Sequence, residues 1–337
     1  MAATYLRQAK HVLALLAAVL VLLVAPPAAH AEPDEEGGSK TLRAQLESAA
    51  KGHVQAKQKL EASKKRQVTL KAALKQAQGK TAELSGRVQE IAGRSYRQGR
   101  LTTMTMLLGS TSPDALIDRM LSLDQMAQVD GRALAGYRDA ATIAEKATKA
   151  IELEIKEQQK QVTVMAKKKQ QAQDALAAAG GGQVAGGFVS ANSPLAKAAP
   201  RNSDGSWPGE GCTVDDPTTG GCITPRLLNA HRQAQAAGFK RYTSCFSQRA
   251  SGEHPQGKAC DYSAAAGGFQ NVNASGGDRT YGNNLAAFFV KNADRLGVMY
   301  VIWYRQIWLP GSGWRTYNGG SGGPAAAHTN HVHLSIL

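Results

Sequence analysis

Ser251 to Asp261, S-G-E-H-P-Q-G-K-A-C-D, sets a histidine, His254, seven residues before an aspartate, Asp261, with Gly257 between them. A neutral imidazole and a carboxylate are both ordinary zinc ligands. A glycine between them lets the backbone double back so that the two side chains converge. A third ligand is needed, and the last ten residues, H-T-N-H-V-H-L-S-I-L, hold His328, His331 and His333. Side chains alternate along a strand, so His331, His333 and Ser335 share one face and Val332, Leu334 and Ile336 the other. The apolar face seals a core while imidazoles look into a cleft. One of them completes a set of three protein ligands, which leaves zinc a fourth position open to water, the mark of a catalytic rather than a structural site.

Outward from this stretch, Lys258 to Ser263 and Arg241 to Ser247 alternate like strands, which turns Cys260 and Asp261 to opposite faces. Cys212, Cys222, Cys245 and Cys260 are the four cysteines, an even number that in an oxidising compartment implies two disulfides. Three pairings are possible. The favoured one joins Cys212 to Cys222 across a turn-rich loop and Cys245 to Cys260 behind the metal-ligand strand. A four-thiolate zinc knuckle competes, although no C-x-x-C pair is present. Thr224 caps an expected helix with Pro225 at its first position and Gly238 past its end. His231 on that helix reads as a packed histidine. A second helix is expected over Asn283 to Leu296, stopping at Gly297, and Met299 to Leu309 reads as an apolar strand region containing Trp303 and Trp308. Residues 210–337 therefore form a small α+β domain with an antiparallel sheet.

The chain before it differs in kind. Arg7 and Lys10 precede an apolar run from Val12 to Val24, followed by Ala29-His30-Ala31, the pattern of an export signal over residues 1–31, with an uncleaved anchor as the alternative although the run is short for a membrane span. From Leu42 a heptad seam runs through Leu46, Ala49, His53, Ala56, Leu60 and onward to Ile91 and Ser95. A second seam runs from Leu134 through Tyr137, Ala141, Thr148, Ile155, Val162 and Ala172 to Leu176. The expectation is a long α-helical coiled-coil hairpin over residues 40–178. Its methionine-rich tip near 104–128 opens a helix at Ser112-Pro113 and is either a folded-back cap or a docking surface. Residues 179–209, rich in Gly, Ala, Ser and Pro, read as a flexible linker. Of the 337 residues 40 are basic and 26 acidic, a net charge of +14, which favours an anionic partner; export argues against nucleic acid and for wall polymers.

H-P-Q-G-K-A-C-D fits H-x-x-G-x-A-x-D, and the H-V-H near the C-terminus fits the closing motif, of the zinc D-Ala-D-Ala carboxypeptidase and L-alanyl-D-glutamate peptidase superfamily, which residues 210–337 resemble. The string Y-V-I-W, I-W and H-V-H-L-S is similar to a secreted actinobacterial subgroup. The resemblance implies Zn2+ held by His254, Asp261 and His333, with His331 a transition-state hydrogen-bond donor and Arg249 meeting substrate. Because Arg249 follows Cys245 by an even count, that role requires a bend between them. The superfamily carries an acidic general base three positions before the third ligand, where this chain has Asn330. An amide does not carry that proton, leaving Glu253, His328 or His331 as substitutes. S-Y-R-Q-G and M-L-L-G-S-T-S-P-D-A-L-I-D-R resemble the N-terminal coils of secreted Gram-positive peptidoglycan hydrolases, which position or restrain the hydrolase and can receive a signal from a membrane complex.

The expected function is thus a secreted or wall-associated zinc peptidase acting on peptidoglycan peptides. A non-catalytic wall-binding or regulatory module is the alternative suggested by Asn330. A purely structural coiled-coil protein would bind no zinc.

Overall fold

The computed structural model describes residues 39–318 and 322–337, so the export signal expected over 1–31 lies outside the described residues. Two long helices come first, α1 (Lys40–Leu108) and α2 (Pro113–Ala178). They pack together as a hairpin, because partners on α2 run backwards along α1. His53 Nδ1 lies 3.3 Å from Met165 O, Ser63 Oγ donates to Glu154 (2.6 Å), and Arg94 donates to Asp130 (2.8 Å). Arg66 adds two bonds to Glu154, at 2.6 and 3.0 Å. The α1 seam is the buried side at Ala56, Leu60, Ser63, Ala77 and Ile91.

On α2 the buried stripe is rotated from the expected seam. Ala133, Ala140, Ala147 and Gln161 face inward, whereas Ile155 and Val162 are 40% and 55% exposed. Polar registration accounts for the rotation: Glu154 must turn inward to accept from Ser63 and Arg66, and small side chains then meet α1. A Cβ on Gly136 would lie 3.2 Å from Leu84. The methionine-rich stretch forms no separate cap. It belongs to the end of α1 and the start of α2, joined by a short turn in which Ser112 Oγ accepts from Ala115 N (3.2 Å). Met104, Leu108, Ile117, Met120 and Leu121 are exposed there. No helix among the described residues is long and apolar enough to cross a membrane.

Two compact units divide the chain: residues 52–168 with 201–206, and a second that joins the first turns of α1 and the last of α2 to residues 207–337. In this second unit a six-stranded antiparallel sheet runs in the order β3-β4-β8-β5-β6-β7. The strands are β3 (Thr243–Ser244), β4 (Ala259–Ser263), β5 (Val298–Trp303), β6 (Gln306–Leu309), β7 (Gly313–Thr316) and β8 (His331–Ile336). A two-stranded ribbon, β1 (Val214–Asp215) with β2 (Cys222–Ile223), precedes them. Tyr304 and Arg305, both left-handed (φ 50° and 61°), make the tight turn between β5 and β6.

One face of the sheet buries Cys260, Tyr262, Val332, Leu334, Ile336 and Val301 against α3 (Pro225–Ala236) and α4 (Gly276–Lys291), through Leu227, Ala230, Leu285, Phe288 and Phe289. Each large side chain removed from water there contributes about 1.5–3 kcal/mol. Thr224 caps α3 by accepting from Leu227 N (3.2 Å). The expected second helix is two: Asn292 breaks it, donating to Phe288 O and accepting from Ala196 N (2.8 Å), before α5 (Ala293–Leu296) ends at Gly297. The expected strand Arg241 to Ser247 shrinks to two residues. The Asp216 carboxylate takes Phe246 N (2.8 Å) and Thr218 Oγ1 takes Cys245 N (3.0 Å), which withdraws both from the ladder.

A second cluster joins Leu42, Leu46, Ala49 and Ala50 of α1 and Ala172 and Leu176 of α2 to Tyr300, Ile302, Ile307, Leu309 and Tyr317. The stretch after α2, expected as a linker, lies along the same unit as far as Pro200: Gly182 N donates to Thr316 O (3.0 Å) and Ala199 N to Arg295 O (2.8 Å). Both favoured disulfides form, Cys212–Cys222 and Cys245–Cys260.

Candidate metal centre

His254 opens a single 3-10 turn, His254–Gln256, that ends at Gly257 in the left-handed region (φ 64°). A side chain at Gly257 is excluded twice over, since a Cβ would also lie 2.7 Å from Ile223 Cα and 2.6 Å from Cys212 Sγ. The turn delivers the chain into β4, where Asp261 pairs with His333 of β8. His254, Asp261 and His333 thus meet on the polar face of the sheet, each at most 1% exposed, with their ligand atoms all within 4.8 Å of one another.

The geometry suits an ion. Asp261 Oδ2 lies 3.3 Å from His254 Nε2, and Asp261 Oδ1 lies 2.8 Å from His333 Nδ1. With bonds of 2.0–2.2 Å, ligands on a tetrahedral ion sit about 3.3 Å apart, which the His254 pair matches, while the His333 pair is closer, at hydrogen-bond length. Neighbouring groups orient each imidazole. His254 Nδ1 donates to the Cys245 carbonyl, which turns Nε2 toward Asp261. His333 Nε2 lies 2.8 Å from Ser335 Oγ, a hydroxyl that can receive the Nε2 proton when Nδ1 serves as ligand. Burial works against the Asp261 carboxylate, but the imidazoles of His254 and His331 outweigh it and hold its pKa well below the usual carboxylate value. The Cys245–Cys260 bridge braces both sides of this arrangement, Cys245 supplying the carbonyl and Cys260 preceding Asp261.

Other expected residues surround the centre. Arg249 lies past the end of β3, on an irregular backbone that supplies the required bend, and its Nη2 is 3.3 Å from Asp261 Oδ2. His331 Nε2 is 3.5 Å from Asp261 Oδ1, and its Nδ1 is 2.7 Å from Asn330 Oδ1. Burial is the main cause that lowers the His331 pKa to about 4, against the opposing pull of Asp261, so its imidazole is neutral. His328 is wholly buried, with its ring 4.7 Å from that of His331, a left-handed backbone (φ 50°) and no hydrogen-bond partner on either ring nitrogen. Burial keeps it neutral too. Glu253 is buried and accepts from Gln256 (3.5 Å).

Two contributors were not singled out from sequence. Tyr300 stacks on His333 (5.6 Å, 11° between planes), while Trp303 is buried in the apolar core. Alternation along β5 could have separated these two, since they stand an odd number of residues apart. Ser335 was placed on the correct face by the same alternation, but without its contact to His333. A second potential ligand group, His231 with Cys245 and Cys260, is closed by the disulfide, and His231 instead stacks on Tyr262 (5.9 Å) as a packed histidine.

The centre is covered. A cavity of only about 10 Å³ remains beside His333 and Tyr300, bounded on its other side by Arg43 and Leu46 of α1. Arg43 Nη2 donates to Ser251 Oγ (3.1 Å), at the head of the metal-ligand stretch.

Among known proteins, residues 219–329 match the family model described as VldE, C-terminal domain. This span contains His254 and Asp261 and stops short of His331 and His333. No curated protein and no solved structure matches the chain.

Proposed function

We propose that this protein is a zinc-dependent peptidase of peptidoglycan stem peptides whose access is governed by its own helical hairpin. The observation that carries the reading is the convergence of His254, Asp261 and His333 at ligand spacing with two imidazoles already oriented by Cys245 O and Ser335 Oγ. Zinc held there would polarise a peptide carbonyl and acidify water. His331, neutral and adjacent to Asp261, takes the proton that an acidic residue at position 330 would otherwise take, at Nε2. Arg249 orients the substrate once it leaves Asp261. Arg43 and Leu46 line the small cavity beside His333, so the first turns of α1 stand where a substrate would approach and would have to move for turnover. The exposed apolar hairpin tip is a fitting contact for a membrane-borne regulator, and the basic surplus suits anionic wall polymers. The two disulfides fit export and action at the wall.

The test is incubation of the zinc-loaded chain with purified stem peptides, read by mass spectrometry. Cleavage should require zinc, vanish in His254→Ala and rise in Leu46→Glu, which disrupts the cover. Specific observations favour a second reading, a peptide-binding module without hydrolysis: position 330 holds an amide, and His254, Asp261 and His333 are each at most 1% exposed. Stem-peptide binding without cleavage, even in Leu46→Glu, would select it.

A further inference from the structure

We propose that Asn330 is a positioning residue that sets the tautomer of His331, making Nε2 of that imidazole a hydrogen-bond acceptor directed at the metal centre. The inference deepens the peptidase reading and rests on it only for its catalytic consequence.

The argument starts from a backbone carbonyl. Asn330 is 6% exposed, and one end of its amide lies 2.7 Å from Gln270 O. A carbonyl only accepts, so the amide end facing it must be the NH2 group. The other end, 2.7 Å from His331 Nδ1, is therefore the oxygen, which also only accepts. His331 must then carry its proton on Nδ1. A neutral imidazole has one proton, so Nε2 presents a lone pair, 3.5 Å from Asp261 Oδ1. Two acceptors facing one another in a buried site repel unless a cation or a proton donor stands between them. The carbonyl of Gln270 thus determines, through one amide, what chemistry the centre offers beside Asp261.

Two consequences separate this arrangement from the one implied by the superfamily resemblance. Until it takes up a proton, His331 cannot serve as a donor from Nε2 while Asn330 holds the proton of the neutral ring on Nδ1. What the site recognises at that point is a ligand group bearing a proton, such as a water or a peptide N–H, and a bare carboxylate or carbonyl oxygen is disfavoured there. An amide at position 330 is accordingly no vacancy in the machinery. It moves the accepting atom from residue 330 to residue 331.

The test is the tautomer itself, read by long-range proton–nitrogen NMR on histidine-labelled full-length protein, metal-free and zinc-loaded, without substrate. Wild type should show His331 protonated at Nδ1. Asn330→Asp keeps an oxygen toward His331 and loses the bond to Gln270, and should retain the Nδ1–H form. Asn330→Leu removes the acceptor, and should move the proton to Nε2, toward Asp261. If the wild type cleaves stem peptides, Asn330→Leu should lower kcat/KM by roughly 10²- to 10⁴-fold, the usual contribution of a positioned proton acceptor. An Nε2–H wild type overturns the proposal, as does an Asn330→Leu variant that folds with its tautomer unchanged. Should that variant fail to fold, loss of the Nδ1–H form in folded Asn330→Asp overturns it equally. A wild type that shows the Nδ1–H form, its retention in Asn330→Asp and its loss in Asn330→Leu, yet cleaves nothing, supports the tautomer assignment and removes the peptidase reading alone.

Discussion

The two faces of the β4–β8 pair come from the same eleven residues and are held by opposite means. Behind the pair, Cys260, Tyr262, Val332 and Leu334 pack into a core with Leu285, Phe288 and Phe289, where close packing and one disulfide do all the holding. In front, Asp261, His331 and His333 gather polar atoms that are equally buried and bonded mostly to one another, beside His328, whose two ring nitrogens have no partner. The apolar face is closed by packing and leaves one polar atom, the Tyr262 hydroxyl, without a partner. With His254, the polar face gathers a carboxylate and imidazoles whose ligand atoms lie within 4.8 Å of one another, a set that could hold a metal ion. Core packing and the candidate ligand set are therefore separated by parity along two strands.

The largest effect expected on this contrast is from Asp261→Asn, which should abolish stoichiometric zinc, measured by metal analysis after dialysis, while the protein still folds. Leu334→Ala tests the opposite face: a fall of about 2–5 kcal/mol in unfolding free energy by urea titration, with zinc stoichiometry intact. If either variant disturbed both properties equally, the faces would not be independent.

Acid should weaken the polar face selectively. The unfolded His331 imidazole titrates near 6.5 and the folded one near about 4, so between these values the unfolded chain binds the extra proton. Stability of the metal-free protein should consequently decline as pH falls from 6.5 to 4, by roughly 3 kcal/mol at most. His328, also depressed by burial, acts in the same direction. Asp261 adds a loss only as pH falls below its ordinary 3.8, because its folded pKa lies lower still. Urea midpoints at several pH values, compared with His331→Gln, read the contribution.

A smaller effect is expected from Ser335→Ala, which removes only the hydroxyl that orients His333. Zinc affinity should drop roughly 10- to 100-fold by competition with a chelator, with unfolding of the metal-free protein little changed. Smallest of all is Val162→Gln on the outward side of α2, expected to shift thermal stability by less than about 0.5 kcal/mol. A larger loss would mean that the exposed side of the hairpin is covered in solution.

Legibility followed the range of the interactions. The helical hairpin, the α3 cap at Thr224-Pro225, the ribbon of alternating residues in H-V-H-L-S and both disulfide pairings could be read because each depends on neighbours in the chain or on strand parity. The α2 seam was misread by about one position. Hydrophobic periodicity favoured Ile155 and Val162, but Glu154 finds its partners only on another helix. The shortened β3 and the broken α4 have the same origin, since Asp216 and Asn292 bond to segments distant in sequence.

For the candidate metal centre, the sequence by itself determined the candidate ligand types, their spacing across Gly257 and the face each occupies, since these follow from a turn that only glycine fits and from the two-residue period of a strand. Only the tertiary structure decided which atoms of those ligands point inward. That choice belongs to Cys245 O for His254 and Ser335 Oγ for His333, while the amide of Asn330, anchored on Gln270 O, acts on the neighbouring His331. A one-dimensional pattern can place an imidazole on a face, but which of its nitrogens carries the proton is set by the acceptor that folding brings beside it.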